Sequence, residues 1–177
     1  TYTKIVLISC GKVEKYFQRK TPSFDNNSDL LDYMYGLLDS ILGDYEDISA
    51  VGIGISGIVD SCNGVIISSS LFPNINHLNL KNEIERKYNI HTVINNDSNF
   101  AAYGEYVHRS EKENVFVTLT LGTGIGMGTV INGRIFEGGD GYAGEIGHMK
   151  FDDNSATCFC GQKGCLNGLG TSRELLR

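Results

Sequence analysis

The chain has 177 residues, 41% of them hydrophobic and 20% charged, which is enough apolar material for one ordinary domain or two small lobes and argues against disorder. A formal net charge of −6 argues against a broad nucleic-acid footprint or an anionic membrane surface, leaving small ligands as the expected partners. No apolar run approaches the ~18 residues of a membrane span, the N-terminus lacks a signal-peptide layout, and the odd, uneven cysteines fit a reducing cytoplasm better than a disulfide framework.

In chain order, Lys4-Ile5-Val6-Leu7-Ile8 is an apolar run, Cys10-Gly11-Lys12 a turn and 13–19 a partner strand, together a hairpin. Ser28 is expected to cap a helix in which Leu30, Leu31, Met34, Leu37, Leu38 and Ile41 form one face, with Gly43 ending it. Residues 50–55 read as a buried strand beside the glycine-punctuated stretch 52–57, a second helix covers 80–88, and 92–94 reads as another strand. Ser98 is positioned to cap a third helix through about His108. Strands followed by helices indicate an α/β lobe. From Asn114 the pattern changes: 115–121 and 127–131 are strand-like, and Asn132-Gly133 is a hairpin turn leading into Arg134-Ile135-Phe136. The polar stretch 109–114 is either a hinge or a solvated helix end. Taken as a hinge, it divides the chain into an N-terminal α/β lobe, 1–113, and the start of a second lobe, 114–177. Both segments open with a hairpin-like pair of strands, and no residue-level repeat accompanies them.

The densest chemistry lies near the end of the chain. Cys158, Cys160 and Cys165 fall within eight residues, with His148 ten positions upstream, a possible Cys₃His set for tetrahedral zinc. The alternative is three buried or paired thiols and an unrelated histidine. Gly122-Thr123-Gly124-Ile125-Gly126-Met127-Gly128 alternates glycines after a strand; its amides and the Thr123 hydroxyl suit a phosphate, while the same string also reads as a bend between strands. It is neither a Walker A loop nor a secure dinucleotide fingerprint, because a hairpin follows where those motifs need a helix. Asn95-Asn96-Asp97-Ser98-Asn99 sits between a predicted strand and helix, where α/β folds present ligand-binding groups. Asp97 could accept a proton from a substrate hydroxyl, or the cluster could serve only as a helix cap. Glu145 lies three residues before His148 and is held near it if a metal fixes that histidine.

Together these stretches resemble the ROK family, named for its repressors, open reading frames and kinases, within the actin-like, sugar-kinase-type ATPase fold. The resemblance is strongest in Gly144-Glu145-Ile146-Gly147-His148 followed by Cys158-x-Cys160-Gly161-x-x-Gly164-Cys165-Leu166, which looks like the family's structural zinc element, and covers nearly the whole chain. By that similarity His148, Cys158, Cys160 and Cys165 are the zinc ligands, and Glu145 and His148 face the sugar. The stretch 96–105 resembles the catalytic segment, which implies Asp97 as general base and Asn96 as a sugar-holding residue. Gly122, Thr123 and Gly124 resemble a second phosphate loop, and Gly57 falls in a sugar-side loop with Ser56 where proline is usual. Thr1, Thr3 and Lys4 match the tail of the first phosphate loop, whose aspartate and glycines would precede residue 1.

The resemblance therefore implies ATP- and Mg²⁺-dependent phosphorylation of a hexose or amino sugar by a protein that forms homo-oligomers at full length. A sugar-sensing regulator whose effector domain is this segment, with no nucleic-acid contact of its own, is the alternative; a non-catalytic zinc-stabilised sugar-binding module is a third. Asn167 stands where the family usually has a sugar-contacting glutamate, and Leu71 is the nearest match to a sugar-facing asparagine. Family members also continue beyond the zinc element, so the segment is expected to be a fragment that by itself does not turn over ATP.

Overall fold

The computed structural model describes residues 2–45, 47–153 and 157–170. The chain opens with the antiparallel hairpin β1 (Tyr2–Ser9) and β2 (Lys12–Lys20), closed by Cys10 and Gly11 with φ of 49° and 74°. Positive φ at both central residues gives the turn a twist that matches the strands it joins. The pair stays a separate two-stranded sheet.

Helix α1 (Asn27–Leu42) buries Leu30, Leu37 and Leu38, the face expected from their spacing, and stops at Gly43. Its cap is Asn26, not Ser28. The Asn26 backbone is extended and its Oδ1 accepts the Asp29 N–H at 3.1 Å, satisfying an amide that has no partner inside the helix.

Strand β3 (Ala50–Ile55) includes Gly52 and Gly54, so the turn is confined to Ser56 and Gly57. Only Ile55 of that strand is fully buried. A three-stranded antiparallel sheet follows, β4 (Ile58–Asp60), β5 (Val65–Ser68) and β6 (Asn76–Leu78), which the sequence reading missed. Strands of three or four residues carry too few alternations for a period to register.

Helix α2 (Leu80–Tyr88) has the expected bounds, with Asn79 as cap and left-handed Asn89 ending it. Strand β7 (His91–Asn96) pairs parallel with β3. The main core joins these elements: Leu80 and Ile84 of α2, Ile94 of β7 and Ile66 of β5 are fully buried beside Ile75 and Phe24.

Helix α3 (Asp97–His108) then packs against the antiparallel sheet β8 (Val115–Leu121), β9 (Ile125–Ile131) and β10 (Arg134–Ile135). Ala102, Tyr106 and Val130, with Phe116, form a second, smaller core there. Asn132 and Gly133 make the expected β9–β10 turn with φ of 50° and 79°. A single 3₁₀ turn, Ile146–His148, and the short α4 (Asn167–Gly170) complete the described elements. No described helix is long and apolar enough to cross a membrane.

Adjacent residues of β7 face opposite environments, Ile94 fully buried and Val93 43% exposed. Ile94→Ala is expected to cost about 2–5 kcal/mol and Val93→Ala less than about 1 kcal/mol, measured by urea unfolding of the purified chain. Equal losses would contradict this assignment of faces.

Candidate functional site

The site starts from a register. Ile55 of β3 lies opposite Asn96 of β7, so both strands end at one level and the turn after β3 meets the start of α3. Asn96 joins them: its Oδ1 accepts the N–H groups of Ser98 at 2.8 Å and Asn99 at 3.3 Å, and its Nδ2 donates to the Gly57 carbonyl at 3.0 Å. Asn96, not Ser98, therefore caps α3. The Ser98 hydroxyl instead pairs with Thr120 Oγ1 of β8 at 3.0 Å, a link that the sequence reading did not anticipate.

Asp97, the first residue of α3, reaches solvent at the mouth of a cleft. The walls around it displace enough water to push its carboxyl above the usual range, although the Ser98 N–H, 2.9 Å from Oδ1, and its own N–H oppose that rise.

The glycine string divides in two. Gly122 and Gly124 form the β8–β9 turn, where the Gly122 N–H donates to the Gly124 carbonyl at 3.0 Å, and both line the cleft with Thr123. Gly126 and Gly128 lie in β9 beneath α3, where a Cβ would overlap Ser98 Oγ, the Ser98 carbonyl and Ala102. The first pair shapes the turn at the cleft; the second permits close helix–strand packing.

Glu145 precedes the 3₁₀ turn and His148 ends it, with His148 Nε2 4.0 Å from Glu145 Oε2. Burial pushes the Glu145 carboxyl up, His148 pulls it down, and the nearby Asp97 charge pushes it up further. The other ring nitrogen of His148, Nδ1, is 3.7 Å from Cys158 Sγ, and Cys160 Sγ is 3.7 Å from Cys165 Sγ. All four donor atoms lie within 4.8 Å of one another. A tetrahedral ion with S and N bonds of about 2.3 and 2.0 Å requires donor separations of roughly 3.5–3.8 Å; the two 3.7 Å pairs match that spacing, and the set could hold a metal ion.

Turns arrange the thiols. Cys158 N–H donates to the Gln162 carbonyl at 2.8 Å, Gly161 N–H to the Cys158 carbonyl at 2.9 Å, and Phe151 N–H to the Gly164 carbonyl at 2.7 Å. Gly164 has φ of 87° against the Asp152 carbonyl, where no side chain would fit. The thiols compete for charge when no cation is present. Burial and hydrogen bonding by its neighbours push Cys165 up to about 12. Burial likewise raises Cys158, whereas at Cys160 the burial effect is outweighed by the Gln162 N–H and the neighbouring thiols, which bring it below the usual range. A divalent cation resolves this competition by holding all three as thiolates.

One cavity of about 390 Å³ gathers most of the residues singled out in the sequence. Gly57, Asn96 and Asp97 line one side and Glu145, His148 and Asn167 another, with Gly122, Thr123 and Gly124 at the glycine turn and Lys4 at the rim. Thr3 lines a neighbouring cavity that shares Lys4, Ser56, Leu71 and Asp97 with the first; its hydroxyl pairs with Thr21 Oγ1 at 2.9 Å and accepts from Tyr33 at 2.8 Å. Thr1 is outside the described residues. The three cysteines stand behind the wall that His148 presents to the cavity. Asn167 is buried, and its Oδ1 accepts the Ile125 N–H at 2.7 Å, tying the cysteine element to the glycine turn. Glu137 was not anticipated, and only the three-dimensional structure reveals its partners: Oε1 accepts from Asn95 Nδ2 at 2.6 Å and Oε2 from Ser61 Oγ at 2.7 Å.

The profile of the ROK family matches residues 1–177. The chain belongs to the ROK family. Among ROK relatives, the xylose repressor of Bacillus subtilis is 32% identical over 152 residues, 84% of this chain and 38% of that protein. The glucokinase of Thermotoga maritima is 32% identical over 170 residues, 94% of this chain and 53% of its own length. The crystal structure of a ROK family glucokinase from Streptomyces griseus, in complex with glucose and AMPPNP, superposes with a TM-score of 0.84 at 29% identity, covering 99% of this chain and 56% of that one. The chain thus spans about half the length, or less, of the relatives it matches. Its α/β architecture is that of the actin-like ATPase fold, as the motif resemblance implied.

Purified protein is expected to carry about one equivalent of metal per chain, and Cys160→Ser to lower both metal content and thermal stability. Elemental analysis beside a melting curve checks this; unchanged metal content in the variant would refute the ligand set. A second expectation concerns pH. Because folding raises the Asp97 carboxyl, its contribution to stability is complete below the ordinary value near 4 and is lost as pH rises through the folded value. Asp97→Asn removes that loss, so the Tm difference, variant minus parent, should grow as pH rises from about 4 to 7. A difference that does not change with pH would contradict the burial effect.

Proposed function

We propose that the full-length protein is a ROK-type sugar kinase that transfers phosphate from ATP to a hydroxyl of a hexose or amino sugar. The observation that carries this reading is Asp97 at the strand-end level of β3 and β7, sharing one cavity with the glycine turn and with the Glu145–His148 wall. In this reading, residues 1–113 and 114–177 are the two lobes facing that cavity. Asn96, Glu145 and His148 hold sugar hydroxyls while Gly57 shapes the wall beside them. Asp97 removes the proton of the attacking hydroxyl as its bond to phosphorus forms. Burial raises its pKa above the ordinary range, which makes it a better base than an ordinary carboxylate.

The Gly122–Gly124 turn, with the Thr123 hydroxyl, supports binding of the nucleotide's phosphates, and Lys4 at the rim adds a positive charge. ATP supplies the transferable phosphoryl group. Among the described residues that line the cavity, the carboxylates are those of Asp97 and Glu145. Zinc would be structural in this proposal, held by His148, Cys158, Cys160 and Cys165; His148 has Nδ1 near Cys158 and Nε2 towards Glu145.

The second reading is an effector domain of a sugar-sensing regulator, favoured by the similarity to the Bacillus subtilis repressor and by Asn167, whose Oδ1 is engaged with the Ile125 N–H. An ATP-consumption screen over simple sugars, using full-length protein, separates the two. Turnover with one sugar class supports the kinase; sugar binding without turnover on any sugar supports the regulator and defeats the kinase. For the kinase, Asp97→Asn should lower kcat by about 10²- to 10⁴-fold while sugar Kd changes little. A loss confined to sugar Kd would assign Asp97 to binding instead of proton removal.

A further inference from the structure

We propose that Glu137 is a positioning residue for the sugar site. Resting on the sugar-site reading above, the inference assigns to this carboxylate the joint between the Asp97 segment and the segment carrying Glu145 and His148. Glu137 lies immediately after the β9–β10 hairpin, far in sequence from both of its side-chain partners. Oε1 accepts from Asn95 Nδ2 at 2.6 Å, and Oε2 from Ser61 Oγ, beyond the end of β4, at 2.7 Å.

Asn95 makes the first contact consequential. It is 5% exposed, and donation to Glu137 fixes the orientation of its amide. Oδ1 is thereby aimed at the Asn96 N–H, 2.7 Å away, and at Asn99 Nδ2, 3.0 Å away. Those two residues bracket Asp97, and Asn96 also holds the Gly57 carbonyl. The Glu137 carboxylate therefore determines which end of a buried amide meets the start of α3. Without it, the Asn95 amide loses its acceptor in a place with little access to water, where an unsatisfied donor is costly.

The backbone carries the same restraint in the other direction. The Glu137 carbonyl accepts the Ala143 N–H at 3.1 Å, closing the loop that leads to Glu145. Gly141, with φ of 79°, sits against the Val59 carbonyl, and Gly144, with φ of 92°, against the Met127 carbonyl. Both ends of the loop are thus fixed: one by the Glu137 side chain on β7 and the β4 end, the other by β9. The carboxylate holds the Glu145–His148 segment in register with Asn96 and Asp97 without itself lining the cavity.

The test uses full-length protein and compares Glu137→Ala with Glu137→Gln, because glutamine keeps an acceptor for Asn95 and a polar partner for Ser61. Glu137→Ala is expected to weaken binding of the sugar found in the screen by about tenfold, with AMPPNP affinity and metal content within about twofold of the parent, and Glu137→Gln to restore most of the loss. Equal losses of sugar and nucleotide affinity, or no loss of sugar affinity, would overturn the proposal. Hydrogen exchange provides a readout that needs no ligand. Glu137→Ala should accelerate exchange in both 96–99 and 138–145, leaving the α2 amides unchanged. If no sugar binds the parent protein, the sugar-site reading fails while exchange still reports on the joint; unchanged exchange in both segments would refute the joint itself.

Discussion

In the parallel pair β3–β7, Ile55 lies opposite Asn96, and the geometry of the cavity follows from that alignment. Parallel strands end together, and their C-terminal ends open a crevice that the next turn and the next helix must border. Here the turn supplies Gly57 and the helix supplies Asp97. Asn96 holds them together with one amide, its oxygen on the helix amides and its nitrogen on the Gly57 carbonyl. A shift of register by one residue would send Asn96 to the other face of the sheet and separate the two edges.

The opposite wall is organised by different means. The described residues of 145–153 and 157–167 contain little regular structure, so their shape depends on turns, on Gly164 pressed against a carbonyl, and on four donor atoms close enough to share one cation. Three thiols and an imidazole in one cluster, with Cys158 and Cys165 buried, are a poor substitute for an apolar core unless their charge is compensated. An ion held by this set would give the segment the support that α1 and α2 draw from their buried leucines and isoleucines. Asn167 carries this order across the cleft by accepting the Ile125 N–H, so the cysteine element and the glycine turn are parts of one support.

The long elements were legible because their physics is local. Leu30, Leu37 and Leu38 announce one face of α1, Leu80 and Ile84 mark α2, and Asn132-Gly133 specifies its turn through φ alone. The Cys₃His set was legible because ligand type and spacing survive without knowledge of the fold. The caps were displaced because serine and asparagine compete for the same role, and only backbone direction decides between Asn26 and Ser28, or Asn96 and Ser98. The glycine string hid two purposes under one pattern, since the closeness of α3 to Gly126 and Gly128 is a tertiary fact. Glu137 left no trace, because its partners at Ser61 and Asn95 are brought to it only by folding.

His148 spans the wall with a single ring, one nitrogen towards the thiols and the other towards Glu145. Electron density in an imidazole is shared, so an acceptor on the cleft side makes the opposite nitrogen a stronger donor to a cation. With an ion at this set, its retention and the occupancy of the cleft would be linked quantities. Whatever factor a cleft ligand adds to metal affinity, the metal must return to the ligand. A support of this kind would also be a reporter: the tightness with which an ion is kept there would measure how well the cleft is filled.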